Sequence, residues 1–189
     1  MDYQNIIEHK FYIEDLKYIC EFLNAHTDKI KGKRFVITGA GGLIGSCMVD
    51  ALIYRNSFCA DESDRVTVAA VGRNAQRLRE RFSYVLDKED YNHLKFVEQD
   101  LGVDFNLAEI LDSVLDRDAD YIIHAASNSD PKNFSLHPVG TVTANITGMN
   151  RILEYAKQRD TRVVYVSSRE VYGWYAEPKY VTEVTAIEK

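Results

Sequence analysis

The chain has 189 residues, 46% hydrophobic and 28% charged, which is enough for one domain with a sizeable core. A formal net charge of −6 without a basic stripe argues against nucleic acid as a partner. No apolar run is long enough to span a bilayer, and the opening MDYQNIIEHK lacks the apolar stretch of a secretory leader. Cys20, Cys47 and Cys59 are odd in number and lack metal-ligand spacing, so free thiols, no metal and a cytoplasmic setting are expected.

Residues 1–31 read as an N-terminal helical extension. Ile13, Leu16, Ile19, Cys20 and Leu23 recur at helical spacing over 12–25 and are expected to dock on the domain that follows, 32–189. A first strand over 35–38 runs into Gly39-x-x-Gly42-x-x-Gly45. Gly39 suits a tight turn off the strand, Gly42 a close approach of backbone to a pyrophosphate, and Gly45 close packing of the next helix on the sheet. The free N–H groups and positive dipole at that helix start favour an anion. The helix is expected over 43–55, with Leu43, Ile44, Cys47, Met48, Ala51 and Leu52 on its buried side.

A polar connection over 56–64 leads to a second strand, 65–71, and the turn Gly72-Arg73-Asn74. A helix over 75–86 and a third strand over 94–98 come next, ending in Gln99-Asp100-Leu101. A helix over 105–115 leads to a fourth strand, 120–124, and Ala125-Ala126-Ser127. A long helix over 139–158 carries Asn145, and a fifth strand, 162–166, runs into Ser167-Ser168-Arg169-Glu170. The last stretch, 174–189, is polar and irregular.

Five strands alternating with helices predict an α/β fold, a Rossmann doubly wound parallel sheet of strand order 3-2-1-4-5. Ligands of such sheets bind beyond the carboxyl ends of the strands, near the switch between strands 1 and 4. Each special turn named above lies at such an end. An NAD site usually presents a carboxylate to the ribose 2′-OH at the end of strand 2, whereas Val71-Gly72-Arg73-Asn74 carries none. Arg73 either holds a 2′-phosphate, stacks on adenine, or is a surface arginine of the basic helix start. The cofactor is therefore left as NAD or NADP.

The pieces TGAGGLIG, Asp100-Leu101, HAAS at 124–127, Asn145-x-x-Gly148 and VVYVSSREVYG at 163–173 together resemble the extended short-chain dehydrogenase/reductases. Within these they resemble the NAD-dependent epimerase/dehydratase group that acts on nucleotide sugars. The resemblance covers about 33–173. It implies that Gly39, Gly42, Leu43, Ile44 and Gly45 hold the pyrophosphate and that Asp100 and Leu101 meet the adenine. By the same likeness Ala125, Ala126 and Ser127 line the nicotinamide half, Ser167 is cofactor-binding, Asn145 supports the active-site backbone from its helix, and Ser168 hydrogen-bonds the sugar hydroxyl being oxidised. Asp100 has a second reading, as a loop aspartate capping the next helix.

The segment SSREVYG is similar to the S-T-D-E-V-Y-G of sugar 4,6-dehydratases, with Glu170 on the glutamate and Arg169 in place of the aspartate. Arginine stays protonated and cannot act as a carboxylic general acid. UDP-glucuronate decarboxylases resemble S-T-S-E-V-Y-G and keep only the glutamate, and HAASNSDPKNFSLHPVGTVTANITGMNRILEYA is similar to their corresponding run. The implied activity is oxidation of a nucleotide sugar at C4 followed by a decarboxylase- or dehydratase-like change, with Ser168 and Glu170 catalytic and Arg169 a candidate for the carboxylate. A 4-epimerase and a non-catalytic NAD(P)-sensing module are the alternatives, and a homodimer is expected. Past the fifth strand, Tyr175 and Lys179 have the family's Tyr-x-x-x-Lys spacing. Pro178 would break the helical turn that spacing needs. The expectation is a coenzyme-binding portion without turnover by itself, lacking the catalytic helix and the substrate domain.

Overall fold

The computed structural model describes residues 9–86, 89–128 and 135–168. Helix α1 (Lys10–Ala25) and the short α2 (Thr27–Ile30) precede strand β1 (Arg34–Thr38) and helix α3 (Leu43–Asn56). Strand β2 (Thr67–Gly72), helix α4 (Ala75–Arg81) and strand β3 (Leu94–Glu98) complete one half. Helix α5 (Leu107–Asp112), strand β4 (Tyr121–His124), helix α6 (Pro138–Arg159) and strand β5 (Arg162–Tyr165) form the other. The five strands are parallel in the order β3-β2-β1-β4-β5, as expected from the sequence.

The central strands β1 and β2 are buried along nearly their whole length, so both faces of each carry apolar side chains. On one face Phe35, Ile37, Val68, Ala70 and Leu94 pack against Val49, Leu52 and Ile53 of α3 and Leu78 of α4. On the other, Val36, Ala69, Val71, Val97 and Ile122 meet Leu107 and Leu111 of α5 and Ile152 and Tyr155 of α6.

Three sequence expectations change. The 75–86 helix stops at Arg81, and a 3-10 turn, Ser83–Val85, turns Phe82 and Val85 into the core. The 105–115 helix is only Leu107–Asp112, because Asn106 caps it by accepting from Ala108 N (3.1 Å) and Glu109 N (3.4 Å). Leu43 and Ile44 are not on the buried side of α3: they are 89% and 49% exposed. They stand in the first turn and line an apolar groove of about 860 Å³ with Tyr12, Ile19, Met48 and Ile123. The buried side instead includes Ser46, Val49, Asp50 and Ile53, since α3 is covered by α1 as well as by the sheet.

The α1 contact has a polar centre. Asp50, 1% exposed, accepts hydrogen bonds from Tyr12 Oη of α1 (2.5 Å), from Arg81 of α4 (2.5 Å) and from Tyr84 Oη. Desolvation and the Asp50 carboxylate both push the two tyrosines well above the usual phenol range. Cys20 adds a contact to Ala51 O (3.6 Å), and burial raises its thiol to about 11. The extension is thus part of the domain's packing.

At the amino ends of the strands Asp120 joins β1 to β4, accepting from Lys33 Nζ (2.8 Å) and Arg34 N (2.8 Å) and pairing with Arg117 (3.1 Å). Burial raises its pKa, but these hydrogen bonds and charges outweigh burial and hold it below the usual carboxylate range. A depressed folded value means the stabilisation is complete above the unfolded pKa, about 3.9, and is lost as pH falls through the folded value. Asp120→Asn is therefore expected to flatten the acid limb of a melting-temperature profile below about pH 4, measured by circular dichroism.

Candidate functional site

The carboxyl ends of β1 and β4 lie side by side, with Thr38 opposite His124. Gly39 leaves β1 at φ 68°, in the left-handed region. A Cβ there would stand 2.7 Å from Ala125 O and 2.8 Å from Ala126 Cα, so the loops after β1 and β4 are in contact. Thr38 joins them further: Ala125 N donates to Thr38 O (3.2 Å) and Ala126 N to Thr38 Oγ1 (3.3 Å). A Cβ on Gly45 would stand 2.3 Å from Gly39 O, so only glycine lets α3 begin so close to the turn.

Residues 41–44 are exposed, and no side chain caps the N-terminus of α3, in contrast to α4 and α5, which Asn74 and Asn106 cap. A 14-residue helix therefore opens beside the β1–β4 switch without a side-chain acceptor for its first N–H groups. That arrangement fits the diphosphate of a dinucleotide. Gly42, Leu43, Ile44 and Gly45 are together here, and the exposure of Leu43 and Ile44 is what leaves their backbone accessible.

The other predicted residues distribute around this edge. Asp100 caps its own turn, accepting from Gly102 N (2.8 Å), and leaves the α5 cap to Asn106. Leu101 is buried, and a Cβ on Gly148 of α6 would stand 2.9 Å from Leu101 Cβ, so that glycine lets α6 pass close to the β3 turn. Ala125 and Ala126 are half-buried and Ser127 is exposed. Asn145 lies in α6 with Nδ2 donating to Thr141 O (2.9 Å). Ser167 and Ser168 follow β5 at the same edge and are exposed. Arg169, Glu170, Tyr175, Pro178 and Lys179 lie outside the described residues, as do 129–134.

Arg73 is exposed at the end of β2, with no ion-pair partner among the described residues. The turn 71–74 itself carries no carboxylate, but the neighbouring strand brings one beside it. Glu98 of β3 is the register partner of Gly72 and accepts from Ala75 N (2.8 Å). Sequence inspection missed it because it comes from the neighbouring strand. Two further Tyr-x-x-x-Lys spacings, Tyr84–Lys88 and Tyr91–Lys95, were also missed, and neither tyrosine is available to the site. Tyr84 Oη is committed to Asp50 and Tyr91 Oη accepts from Arg79 (3.1 Å). Another missed residue is His124, which is completely buried.

Comparison with known proteins agrees with this geometry. Residues 35–188 match the model of the NAD dependent epimerase/dehydratase family. UDP-glucuronic acid decarboxylase 2 of Arabidopsis thaliana is 26% identical over 145 residues, covering 77% of this chain and 28% of that protein. UDP-glucuronic acid decarboxylase 1 of Danio rerio is 28% identical over 146 residues, covering 75% and 28%. The chain thus spans under a third of the length of these relatives. Among solved structures, the UDP-N-acetylglucosamine 4-epimerase of Methanobrevibacter ruminantium, in complex with UDP-N-acetylmuramic acid, superposes with TM-score 0.61 at 26% identity, covering 81% of this chain and 43% of that one. The DesIV dTDP-glucose 4,6-dehydratase double mutant of Streptomyces venezuelae, with NAD bound, gives 0.57 at 25% identity, covering 78% and 43%. With its glycine turn, its strand order and a family match from β1 onward, this chain belongs to the NAD dependent epimerase/dehydratase family.

Proposed function

We propose that this chain binds NAD or NADP across the carboxyl edge of its sheet, as the coenzyme-binding part of an enzyme that oxidises a nucleotide sugar at C4. The observation that carries this reading is the interlocked pair of loops after β1 and β4, opening onto the uncapped start of α3. The backbone of Gly42–Gly45 would hold the diphosphate, Asp100 and Leu101 the adenine, and Ala125–Ser127 with Ser167 the nicotinamide half. A nicotinamide dinucleotide, when bound, supplies a hydride acceptor. Ser168 would then orient the sugar hydroxyl by a hydrogen bond, and Glu170 would exchange a proton at the neighbouring carbon. Sequence likeness to UDP-glucuronic acid decarboxylases, together with Arg169 where dehydratases carry an aspartate, favours a decarboxylase-like outcome.

The test is a product assay on a preparation that extends past Lys189, using UDP-, dTDP- and GDP-sugars with UDP-glucuronate among them. Release of carbon dioxide supports the reading. A product of unchanged mass inverted at C4 would instead support the 4-epimerase reading, which the structural likeness to an epimerase favours. We infer that residues 1–189 alone bind coenzyme without turnover, since Pro178 interrupts the Tyr175–Lys179 spacing.

Two further outcomes are expected. Arg73→Ala should weaken NADP about tenfold, as loss of a charge-assisted contact, and leave NAD within about twofold; equal losses by calorimetry would place Arg73 on the adenine. Val139, Val142, Ile146 and Leu153 form an exposed stripe on α6 at alternating spacings of three and four, the half-buried Met149 filling the gap. A homodimer through that stripe should appear in light scattering, and Ile146→Glu should return it to a monomer.

A further inference from the structure

His124 is completely buried on the α6 side of the sheet, stacked on Tyr165 of β5 (ring centroids 5.6 Å apart). Its Nδ1 lies 2.6 Å from Thr38 Oγ1. Oγ1 accepts from Ala126 N and has one hydrogen of its own to give. Thr38 is buried, and His124 Nδ1 is the one acceptor that hydrogen meets among the described residues, which leaves the imidazole proton on Nε2. That Nε2 is buried and meets no partner among the described residues. A second side chain has the complementary vacancy. Asn145 must turn its NH2 to Thr141 O, which can only accept, so Oδ1 points away, and Oδ1 is likewise buried without a partner among the described residues.

Counting along the two elements puts these residues at a similar height. Tyr155 Oη accepts from Ala119 N (3.1 Å), which pins α6 to the foot of β4. From there Asn145 is ten residues back along α6, about 15 Å at helical rise. His124 is five residues up β4, about 16 Å at strand rise. Ile152 of α6 belongs to the same buried cluster as Ile122 of β4, so both elements contribute to this layer. An unsatisfied donor and an unsatisfied acceptor therefore face one layer behind the loop 125–128. Leaving either unmade carries the desolvation penalty of a buried polar group.

We propose that His124 and Asn145 are positioning residues that together seat one water molecule between β4 and α6, donated to by His124 Nε2–H and donating to Asn145 Oδ1. Through Thr38 this seat fixes the backbone of Ala125 and Ala126, and with it the wall of the crevice. Burial holds His124 below the usual imidazole range, in keeping with a neutral ring. The functional consequence rests on the coenzyme reading above, whereas the seat itself does not.

Histidine-selective nitrogen–proton correlation spectra of the coenzyme-free full chain test the seat directly. The expected result is one ring in the neutral Nε2–H form with a slowly exchanging proton, unchanged in Asn145→Asp and exchanging at least about tenfold faster in Asn145→Leu, in which the seat has lost its acceptor. An Nδ1–H tautomer in the wild-type chain, or exchange indifferent to both variants, would overturn the proposal even if the leucine variant fails to fold. For the consequence, Thr38→Val should weaken coenzyme about tenfold while Thr38→Ser keeps both affinity and the Nε2–H signature. Equal affinity in the valine variant would overturn the link to the crevice. Failure of the wild-type chain to bind any coenzyme would refute the functional reading without touching the seat, which the histidine spectra decide alone.

Discussion

Gly45→Ala should abolish measurable coenzyme binding and lower folding stability by about 1–3 kcal/mol. The added methyl carbon would sit 2.3 Å from Gly39 O and 3.0 Å from Ala40 Cα, both backbone atoms that cannot swing aside. Relief requires α3 to move off the β1 turn, carrying the N–H groups of residues 43–45 with it. The effect should therefore appear in both thermal denaturation and calorimetric titration. Gly41→Ala is the matched control. Its Cβ would meet only the end of the Leu78 side chain at 3.5 Å, and the residue is exposed. Binding and melting temperature in that variant should stay near those of the wild type. A glycine loop without a ligand would show the stability loss at Gly45 but nothing to lose in binding.

The second large effect lies away from the crevice. Asp50→Ala leaves the Arg81 guanidinium buried beside two tyrosine hydroxyls without its carboxylate. Removing one partner of a buried pair costs about 3–5 kcal/mol, a large part of the about 5–15 kcal/mol that holds a typical domain together. The melting temperature should fall by about 10 °C or more. Replacing both partners by apolar residues, Asp50→Leu with Arg81→Met, should recover most of that loss, because the desolvation cost of the pair is removed together with its attraction. Tyr12→Phe should cost less, about 1 kcal/mol, as a hydrogen bond to a carboxylate that keeps two other donors. Deleting α1 should resemble Asp50→Ala more than Tyr12→Phe, since Leu16 and Cys20 are also buried against the domain.

The parts of this molecule that were legible in the sequence are those that local chemistry dictates. The strand at Phe35–Thr38, the spacing of Gly39, Gly42 and Gly45, and the alternation of strand and helix led directly to the observed order β3-β2-β1-β4-β5. What was hidden depends on partners distant in the chain. Asp50 drew no notice in the sequence, because Tyr12, Arg81 and Tyr84 reach it only in the fold. Glu98 arrives at the end of β2 through the register of β3. His124 looked like a part of the HAAS run, and its burial beside Thr38 follows from the pairing of β1 with β4. Leu43 and Ile44 were misplaced for a simpler reason: apolar character at helical spacing does not distinguish a helix turn that is covered from one that fronts an open groove.

The central claim is that this edge binds a nicotinamide dinucleotide with its diphosphate at the start of α3. Isothermal titration of the 189-residue chain with NAD and with NADP tests it most directly. Saturable one-site binding of at least one of them, lost in Gly45→Ala and kept in Gly41→Ala, is the predicted result. Absence of binding heat with both coenzymes, from a chain shown by circular dichroism to be folded, would contradict it.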